Sequence, residues 1–303
     1  HFMHVFLTGG TGYIGTAILD ALIKQGHHVT ALVRDPEKAA RLDARGATPL
    51  MGELASPKRY VAAAAACDAV VHAAADGGPR APVADRQFLD AVLPALAAAG
   101  GARALVYTSG IWTIGPAPGG ADESTPVAPA EIAAWRTPHE HLVLGAASDT
   151  LRTVVVRPGV VYGSARGIVS DMLKDALNGL VRVIGDGRNH WPLVYDRDLG
   201  DLYARLVAAA DASGIFHATD DEIEHVVDIA QALASHVDPP ADIRHVPLPE
   251  ARAKMGPYAD ALALDQIVHS PRARALGWTP TMRGITGNAP RLFEEYRRAV
   301  GRG

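Results

Sequence analysis

A glycine-rich segment near the amino terminus constrains this chain more than any other feature. Residues 9–15, with the sequence GGTGYIG, directly follow an apolar run and precede an amphipathic stretch at 16–25. Gly9 permits a tight turn, Gly12 lets the main chain approach a ligand, and Gly15 lets the following helix pack close to the strand. A second apolar run at 29–33 completes a strand–turn–helix–strand pattern. This pattern is typical of dinucleotide binding, because the helix amino terminus directs N–H groups and a positive dipole end at a diphosphate.

The rest of the chain continues the alternation of strands and helices. Apolar runs rich in β-formers lie at 5–7, 29–33, 69–72, 104–107 and 154–156, with a later one at 215–218. Helical spacing separates them, as at 88–99. The pattern predicts an α/β fold with a doubly wound parallel sheet covered on both faces. A Pro- and Gly-rich stretch at 114–129 is expected to be a loop above the carboxyl edge of the sheet, where such folds bind ligands.

Two domains are expected from the change of pattern after residue 163. The predicted dinucleotide-binding domain covers 3–163, and 193–220 returns to it. The remainder of 164–303, mainly 164–192 and 221–303, is predicted to form a smaller substrate-binding lobe.

Composition and charge exclude several classes of function. A hydrophobic content of 48% in 303 residues supports a large core, and a net charge of -4 gives no basic surface for nucleic acid or anionic membrane. No apolar stretch approaches a membrane span, no signal peptide is evident, and Cys67 is the only cysteine. The histidines form no ligand-spaced cluster with acids, so no metal is expected. We therefore expect a soluble cytoplasmic protein with a small-molecule substrate.

The residues after the second strand favour NADP over NAD. A carboxylate at this position binds the ribose 2′-hydroxyl, whereas an arginine pairs with a 2′-phosphate. Arg34 occupies the position, and Lys38 can add a second positive charge. Asp35 is the acidic alternative, but Asp35 followed by Pro36 is typical of a helix start. Arg34 as a plain solvated surface charge remains the other interpretation.

Five segments together resemble the extended and atypical short-chain dehydrogenase/reductases, a group that includes nucleotide-sugar epimerases and dehydratases. They are TGGTGYIG at 8–15, GEL at 52–54, VHAAA at 71–75, YTSG at 107–110 and RPGVVYG at 157–163. The resemblance runs over nearly the whole chain and implies a Rossmann domain with a carboxyl-terminal substrate lobe. Members of this group often form homodimers, and the Ala-rich segments 88–99 and 137–147 are candidates for such an interface.

The resemblance also implies roles for individual residues. Glu53 and Leu54 would border the adenine, Ala73 to Ala75 would line phosphate and ribose, and Pro158 with Gly159 would flank the nicotinamide. Ser109 would match the catalytic hydroxyl of the family, although a strand-end hydroxyl that satisfies backbone groups is the alternative. With the turn and the basic residues, the predicted cofactor site comprises Gly9, Thr11, Gly12, Tyr13, Ile14, Gly15, Arg34, Lys38, Glu53, Leu54, Ala73, Ala74, Ala75, Thr108, Arg136, Pro158 and Gly159.

The chain departs from the family at the catalytic Tyr-x-x-x-Lys pair. Comparison with the family's helix places Ile132 at the tyrosine position and Arg136 at the lysine position. Isoleucine cannot move a proton, and a guanidinium can hydrogen-bond a ribose but stays charged. His139 and Tyr162 are the candidate replacements. The alternatives are a surface or capping role for His139 and a packing role for Tyr162.

Four aromatic residues are expected near the substrate, and they suggest a partly apolar pocket. They are Trp112, Trp135, Trp191 and Tyr195, with ordinary core packing as the alternative for each. The sequence thus predicts an NADP-dependent oxidoreductase acting on a carbonyl, alcohol or imine carbon of a small organic substrate. An epimerase or dehydratase that recycles its cofactor, and a catalytically silent NADP sensor, are the alternatives.

Overall fold

A computed structural model describes residues 2–75 and 78–301 of the chain. The chain folds into two compact units. Unit 1 comprises the described part of His1–Ser109, together with Trp135–Arg157 and Leu199–Phe216. Unit 2 comprises Gly110–Ala134, Pro158–Asp198 and the described part of His217–Gly303. Residues 110–134, 158–163, 193–198 and 217–220, which were expected in the first domain, fall in unit 2.

The strands are numbered in chain order. They are β1 His4–Thr8, β2 His28–Val33, β3 Thr48–Met51, β4 Ala69–His72, β5 Arg103–Thr108, β6 Ala117–Ala121, β7 Leu151–Pro158, β8 Val160–Tyr162, β9 Leu180–Ile184, β10 His190–Trp191, β11 Leu193–Tyr195, β12 Gly214–Ala218, β13 Glu224–His225, β14 Asp242–Val246 and β15 Gln266–Val268.

The helices are numbered in the same way. They are α1 Tyr13–Lys24, α2 Pro36–Ala44, α3 Val61–Ala66, α4 Ala81–Ala98, α5 Arg136–Gly145, α6 Gly167–Leu177, α7 Asp196–Ala208, α8 Val226–His236, α9 Leu248–Met255, α10 Pro257–Leu262, α11 Pro271–Ala275 and α12 Ala289–Gly301. Short 3₁₀ turns lie at Pro57–Arg59, Ile111–Thr113 and Glu131–Ala133.

The central sheet has seven strands in the order β12-β7-β5-β4-β1-β2-β3, which confirms the predicted doubly wound α/β fold. The strands from β7 to β3 pair in parallel, so their carboxyl ends share one edge. Most side chains of β1, β2, β4, β5 and β7 are buried because helices cover the sheet, as the continuous apolar runs predict. The chain order reverses between β1 and β4, and a fold of this class binds its ligand at such a switch point.

Several strands lie where the sequence suggested none, among them β3, β6, β9 and β14. β3 has the sequence TPLM, too short and too exposed at both ends for a clear apolar run, and it is held by parallel pairing with β2. β6 falls inside the predicted loop at 114–129 and pairs with β15, a strand far along the chain. Long-range pairing of this kind leaves no local signal.

Unit 2 has a core of its own. Side chains from α6, α8, α12, β8, β9 and β11 pack into one buried cluster that includes Leu173, Val181, Leu193 and Phe293. Small parallel pairs, β14 with β9 and β11 with β8, form its framework. Among the described residues, no helix is long and apolar enough to cross a membrane.

Candidate active site

The glycine-rich turn joins β1 to α1 with a geometry that only small residues permit. Gly9 has φ +75°, and a Cβ there would lie 2.5 Å from the Ala73 carbonyl oxygen. A Cβ on Gly15 would lie 1.7 Å from the Gly9 carbonyl oxygen, so this position fixes the helix against the turn. A Cβ on Gly12 would meet only the Gly9 oxygen, at 3.2 Å. Gly9 and Gly15 therefore serve the internal packing of the turn, whereas the surface over Gly12 is open on its other sides.

The amino terminus of α1 suits an anion. Its N-cap, Gly12, makes no side-chain capping bond, and the first turn carries no acidic residue. The first N–H groups of a helix have no acceptor within the helix and lie at the positive end of its dipole. The turn therefore fits the diphosphate of a dinucleotide, which supplies negative charge and acceptor oxygens.

A hydrogen-bonded clamp fixes the backbone after β4. Thr8 and His72 are register partners in the sheet, and the Thr8 Oγ1 atom lies 2.6 Å from His72 Nδ1. The same oxygen accepts the N–H groups of Ala73 and Ala74 at 3.1 and 3.2 Å. Thr8 thereby holds two of the three alanines predicted to line the cofactor.

This clamp determines the tautomer of His72. Both acceptor positions of Thr8 Oγ1 are occupied by backbone N–H groups, so its own proton points at His72 Nδ1. The His72 ring proton is then on Nε2, which donates to Asp85 Oδ1 at 2.7 Å. His72 consequently links the clamp to a carboxylate on α4.

Asp85 is the centre of a buried polar group that we call the Asp85 cluster, comprising Thr8, His72, Asp85, Tyr107, Arg136 and His139. Besides His72, the carboxylate accepts the Tyr107 hydroxyl at 2.7 Å and faces His139 Nδ1 at 2.5 Å. Burial opposes ionisation of Asp85, but the hydrogen bonds from His139 and His72 outweigh it and hold the pKa below its ordinary value. Asp85 is therefore an anion that orients three donors.

His139 lies on α5, one turn after Arg136, and its side chain is 8% exposed. Because Asp85 is ionised, the His139 proton on Nδ1 points at the carboxylate, and Nε2 is the nitrogen left for other chemistry. Nε2 makes no hydrogen bond to any residue of 2–75 or 78–301. A carboxylate behind one ring nitrogen stabilises the positive ring that results when the other nitrogen takes a proton.

Two other groups of the Asp85 cluster are unsuited to proton transfer. Burial raises the pKa of Tyr107, the charge of Arg136 opposes the shift, and the charge of Asp85 adds to it. The Arg136 Nη1 atom donates to the Thr108 carbonyl at 3.0 Å and to the Tyr107 hydroxyl at 3.1 Å. Its guanidinium also stacks on Trp135, 4.1 Å from the ring centroid. Arg136 is thus held at the end of β5, and its role toward a ribose stays a prediction.

Ser109 belongs to a separate buried ion pair. Its hydroxyl donates to Glu140 Oε1 at 2.5 Å, and Arg157 donates to both Glu140 oxygens, at 2.9 and 2.6 Å. Glu140 lies four residues after Arg136 on α5 and is buried. In this arrangement the Ser109 proton is directed at Glu140 and away from a substrate, so the catalytic role of Ser109 stays a prediction. Thr108, also predicted at the cofactor, shares a hydrogen bond of 2.6 Å with Tyr203 through its hydroxyl.

The residues predicted for the adenosine end follow the carboxyl ends of β2 and β3. Asp35 accepts the Glu37 N–H at 2.8 Å and caps α2, with Pro36 in the first turn, which confirms the predicted capping role. Arg34 and Lys38 are exposed on either side of this cap. Glu53 is also exposed, and the Leu54 carbonyl accepts the Tyr60 hydroxyl at 2.7 Å.

Several predicted site residues lie in unit 2. A Cβ on Gly159 would lie 2.7 Å from the Pro192 oxygen, so glycine is required there for close backbone packing beside Pro158. Tyr162 is fully buried, and its hydroxyl donates to Asp220 at 3.1 Å. Burial and the negative charge of Asp220 raise its pKa. The structure therefore argues against Tyr162 as a proton donor, because its proton is held in the core by a carboxylate.

The four predicted substrate aromatics have different surroundings. Trp135 packs on Arg136, and Trp112 contacts Tyr258 edge to face at a centroid distance of 5.8 Å. Tyr195 is buried, with its hydroxyl on Glu295 at 2.6 Å, and so it packs in the core instead of lining a pocket. Trp191 lines a cavity in unit 2. At position 132, exposed isoleucine lies in a 3₁₀ turn before α5 begins.

The sequence interpretation missed Asp85 and His72. A helical signal for Asp85 was present, because it lies three and four residues before Phe88 and Leu89, on the apolar face of α4. An acid on such a face must be paired. Its partners come from β4, β5 and α5, which sequence spacing does not connect.

One family model matches most of the chain. It is the model of the NAD dependent epimerase/dehydratase family, and it covers residues 5–218. The chain belongs to that family. This epimerase/dehydratase family member is 30% identical over 287 residues to an uncharacterised protein of Schizosaccharomyces pombe, covering 92% of this chain and 95% of that one. It is also 30% identical over 302 residues to 3-diazoavenalumate denitrifying reductase of a Streptomyces species, covering 92% and 96%.

Among solved structures, the human epimerase family protein SDR39U1 with NADPH shares the fold of this epimerase/dehydratase family member. The TM-score is 0.79 at 23% identity, and the match covers 96% of this chain and 99% of the human one. A nicotinamide dinucleotide is therefore the cofactor expected from the family, and the residues present fit it. The uncapped amino terminus of α1, the open surface over Gly12 and the clamped backbone of Ala73 and Ala74 would hold it.

Proposed function

We propose that this protein is an NADP-dependent oxidoreductase in which His139 moves the proton that accompanies hydride transfer at a carbonyl, alcohol or imine carbon. When bound, the reduced cofactor supplies the hydride to the substrate carbon. The proton for the substrate oxygen or nitrogen comes from Nε2 of the charged His139 ring, which is left neutral. The observation that carries the proposal is the buried bond between His139 Nδ1 and Asp85, at 2.5 Å.

The preference for NADP rests on the end of β2. The Asp35 carboxylate is engaged in capping α2, so the acid that would suit a ribose 2′-hydroxyl has another role. Arg34 and Lys38 bring positive charge to the same region, which suits a 2′-phosphate.

Named relatives support a reductase. The Streptomyces relative is named a reductase, and its similarity covers nearly the whole of both chains. Isomerising members of the family resembled by this sequence use a tyrosine base, and position 132 holds isoleucine. A homodimer and a cytoplasmic location stay predictions from the sequence.

The test compares two asparagine variants on the same helix. In His139→Asn the amide can keep the bond to Asp85, but nothing replaces Nε2, so kcat should fall about 100-fold or more. His141→Asn, at an exposed position two residues away, is the matched control and should behave like the wild type. Turnover is followed as consumption of NADPH with a panel of aromatic and aliphatic ketones, and NADP affinity by titration calorimetry.

Two outcomes would contradict the proposal. One is a His139→Asn variant with wild-type kcat. The other is turnover of substrate without net consumption of NADPH, which would indicate the cofactor-recycling alternative.

A further inference from the structure

Unit 2 contains a cavity of about 340 Å³ that no residue of the Asp85 cluster lines. This volume lies within the range of small-molecule pockets, about 300–1,000 Å³. Its walls come from α6, α8, α9, α10, β9, β10 and β14, all elements of unit 2. We call it the unit 2 cavity.

The interior of the unit 2 cavity is apolar. Its buried lining residues are Met172, Val183, Trp191, Val226, Val246 and Ala251. The Trp191 Nε1–H and the Asn189 amide are already used, since both donate to the Leu262 carbonyl, at 2.9 and 3.1 Å. The walls therefore present mainly aromatic and aliphatic surface to a ligand.

Two uncharged polar groups of the lining are available for a ligand. The Asn189 Oδ1 atom and the Tyr258 hydroxyl have no hydrogen-bond partner among residues 2–75 and 78–301. Burial and the charge of Asp171 raise the pKa of Tyr258, so its hydroxyl is a neutral donor. The lining thus offers one acceptor and one donor.

The charges at the rim balance. Asp171, Asp175 and Glu250 are matched by Arg182, Arg244 and Lys254, and Arg244 pairs with Glu250 at 2.9 Å. A diphosphate needs an excess of positive charge, which this rim lacks.

We propose that the unit 2 cavity binds a planar, largely apolar molecule with one hydroxyl or keto group, and that it rejects nucleoside diphosphates. Trp191 and Tyr258 supply ring surface for the planar body, and Asn189 or Tyr258 binds the polar group. As a statement about the substrate, the inference rests on the proposed oxidoreductase function. As a statement about binding, it is tested without turnover.

The experiment uses the whole chain and two probes, 2-naphthol and uridine 5′-diphosphate, in calorimetric titrations. Wild-type protein should bind 2-naphthol and should show no binding of the diphosphate at the same concentrations. Ala251→Leu fills the unit 2 cavity and should weaken 2-naphthol at least tenfold. Ala253→Leu, an exposed change on the same helix, should not.

A second pair of variants addresses the polar group. Tyr258→Phe removes one hydroxyl and should weaken 2-naphthol about fivefold, the value of one hydrogen bond. Tyr296→Phe lies outside the lining and should leave binding unchanged. Circular dichroism and the thermal unfolding temperature show that each variant is folded.

The result that overturns the inference is binding of the diphosphate in preference to 2-naphthol, or 2-naphthol binding that is absent or insensitive to both Ala251→Leu and Tyr258→Phe. Failure of the proposed function looks different, because 2-naphthol would then bind as expected while no ketone consumes NADPH.

Discussion

Asp85 shows how one buried carboxylate orders the polar groups of a candidate active site. It accepts His72, Tyr107 and His139 at 2.5–2.7 Å while being almost fully buried. A buried carboxylate stays charged only when hydrogen-bond donors contact each of its oxygens. At the residue scale, the catalytic proposal for His139 therefore depends on Asp85, which acts as a positioning residue.

Replacement of Asp85 should reduce stability in a manner that depends on pH. In Asp85→Asn the amide NH₂ must face a donor, so we expect a loss of about 3 kcal/mol of unfolding free energy at neutral pH. The folded pKa of Asp85 lies below the ordinary value, so its contribution is present above about pH 4 and is lost as the pH falls further. The difference in unfolding free energy between the wild type and Asp85→Asn should therefore become smaller as the pH falls.

Urea unfolding at several pH values measures this difference. Asp90→Asn, at an exposed position of the same helix, is the control. An Asp85→Asn variant as stable as the wild type at neutral pH would show that the carboxylate is not needed to order its donors.

Replacement of Arg34 should change the preference for NADP over NAD. Arg34→Asp replaces attraction to a 2′-phosphate by repulsion, and should weaken NADP by about 100-fold while changing NAD about threefold or less. Arg41→Asp is the control, because it makes the same charge change at an exposed position of α2, further along the chain. Titration calorimetry with both cofactors measures the ratio of their affinities. Equal losses of affinity for NADP and NAD would show that Arg34 does not select between the two cofactors.

At the scale of elements, the glycines of the β1–α1 turn serve two different purposes. A Cβ on Gly15 would collide with the Gly9 carbonyl, whereas one on Gly12 would meet only that oxygen at 3.2 Å. The three glycines of the motif therefore do not share one function. Gly9 and Gly15 shape the turn, and we propose that Gly12 leaves room for the cofactor.

Alanine substitutions should distinguish these uses. Gly15→Ala should lower the unfolding free energy by about 2–4 kcal/mol, because backbone atoms must move apart. Gly12→Ala should keep most of the stability but weaken the cofactor about tenfold, or about 1.4 kcal/mol. Gly145→Ala, whose Cβ would meet nothing within 4 Å, is the control. Thermal unfolding and cofactor titration give both readouts, and the reverse pattern would refute this division of roles.

At the scale of the whole molecule, two buried acids oppose the effect of Asp85. Burial raises the pKa of Asp196 to about 6 and that of Asp220 to about 6. A carboxyl whose folded pKa lies above the unfolded value binds its proton more tightly in the native state. These two groups therefore reduce stability as the pH rises from about 4 to about 6.

Asp196→Asn should remove the part of this pH-dependent loss of stability that Asp196 causes. The amide can accept the Arg197 N–H and donate to Ser164, which preserves both contacts of Asp196. Relative to wild type, the variant should gain roughly 2 kcal/mol between pH 4 and pH 7. Denaturant unfolding at these two pH values measures the gain, with Asp242→Asn as an exposed control. A difference independent of pH would contradict the raised pKa.

Local signals were sufficient for most of the central sheet. Apolar runs located β1, β2, β4, β5, β7 and β12, and Asp35 followed by Pro36 located the start of α2. These signals work because strand alternation, helix caps and glycine turns are set by neighbouring residues. Strands such as β3, β6, β9 and β14 were not predicted, since their pairing partners are distant or their own runs are weak.

The sequence by itself determined the doubly wound class, the dinucleotide turn and the loss of the usual tyrosine at position 132. Each of these features can be recognised from residues that are neighbours in the chain. Only the tertiary structure decided what surrounds His139, since Asp85, His72 and Tyr107 come from three separate elements. The same holds for Tyr162, whose burial against Asp220 joins residues 58 positions apart. Proton chemistry depends on burial and on partners in space, and neither is encoded in local spacing.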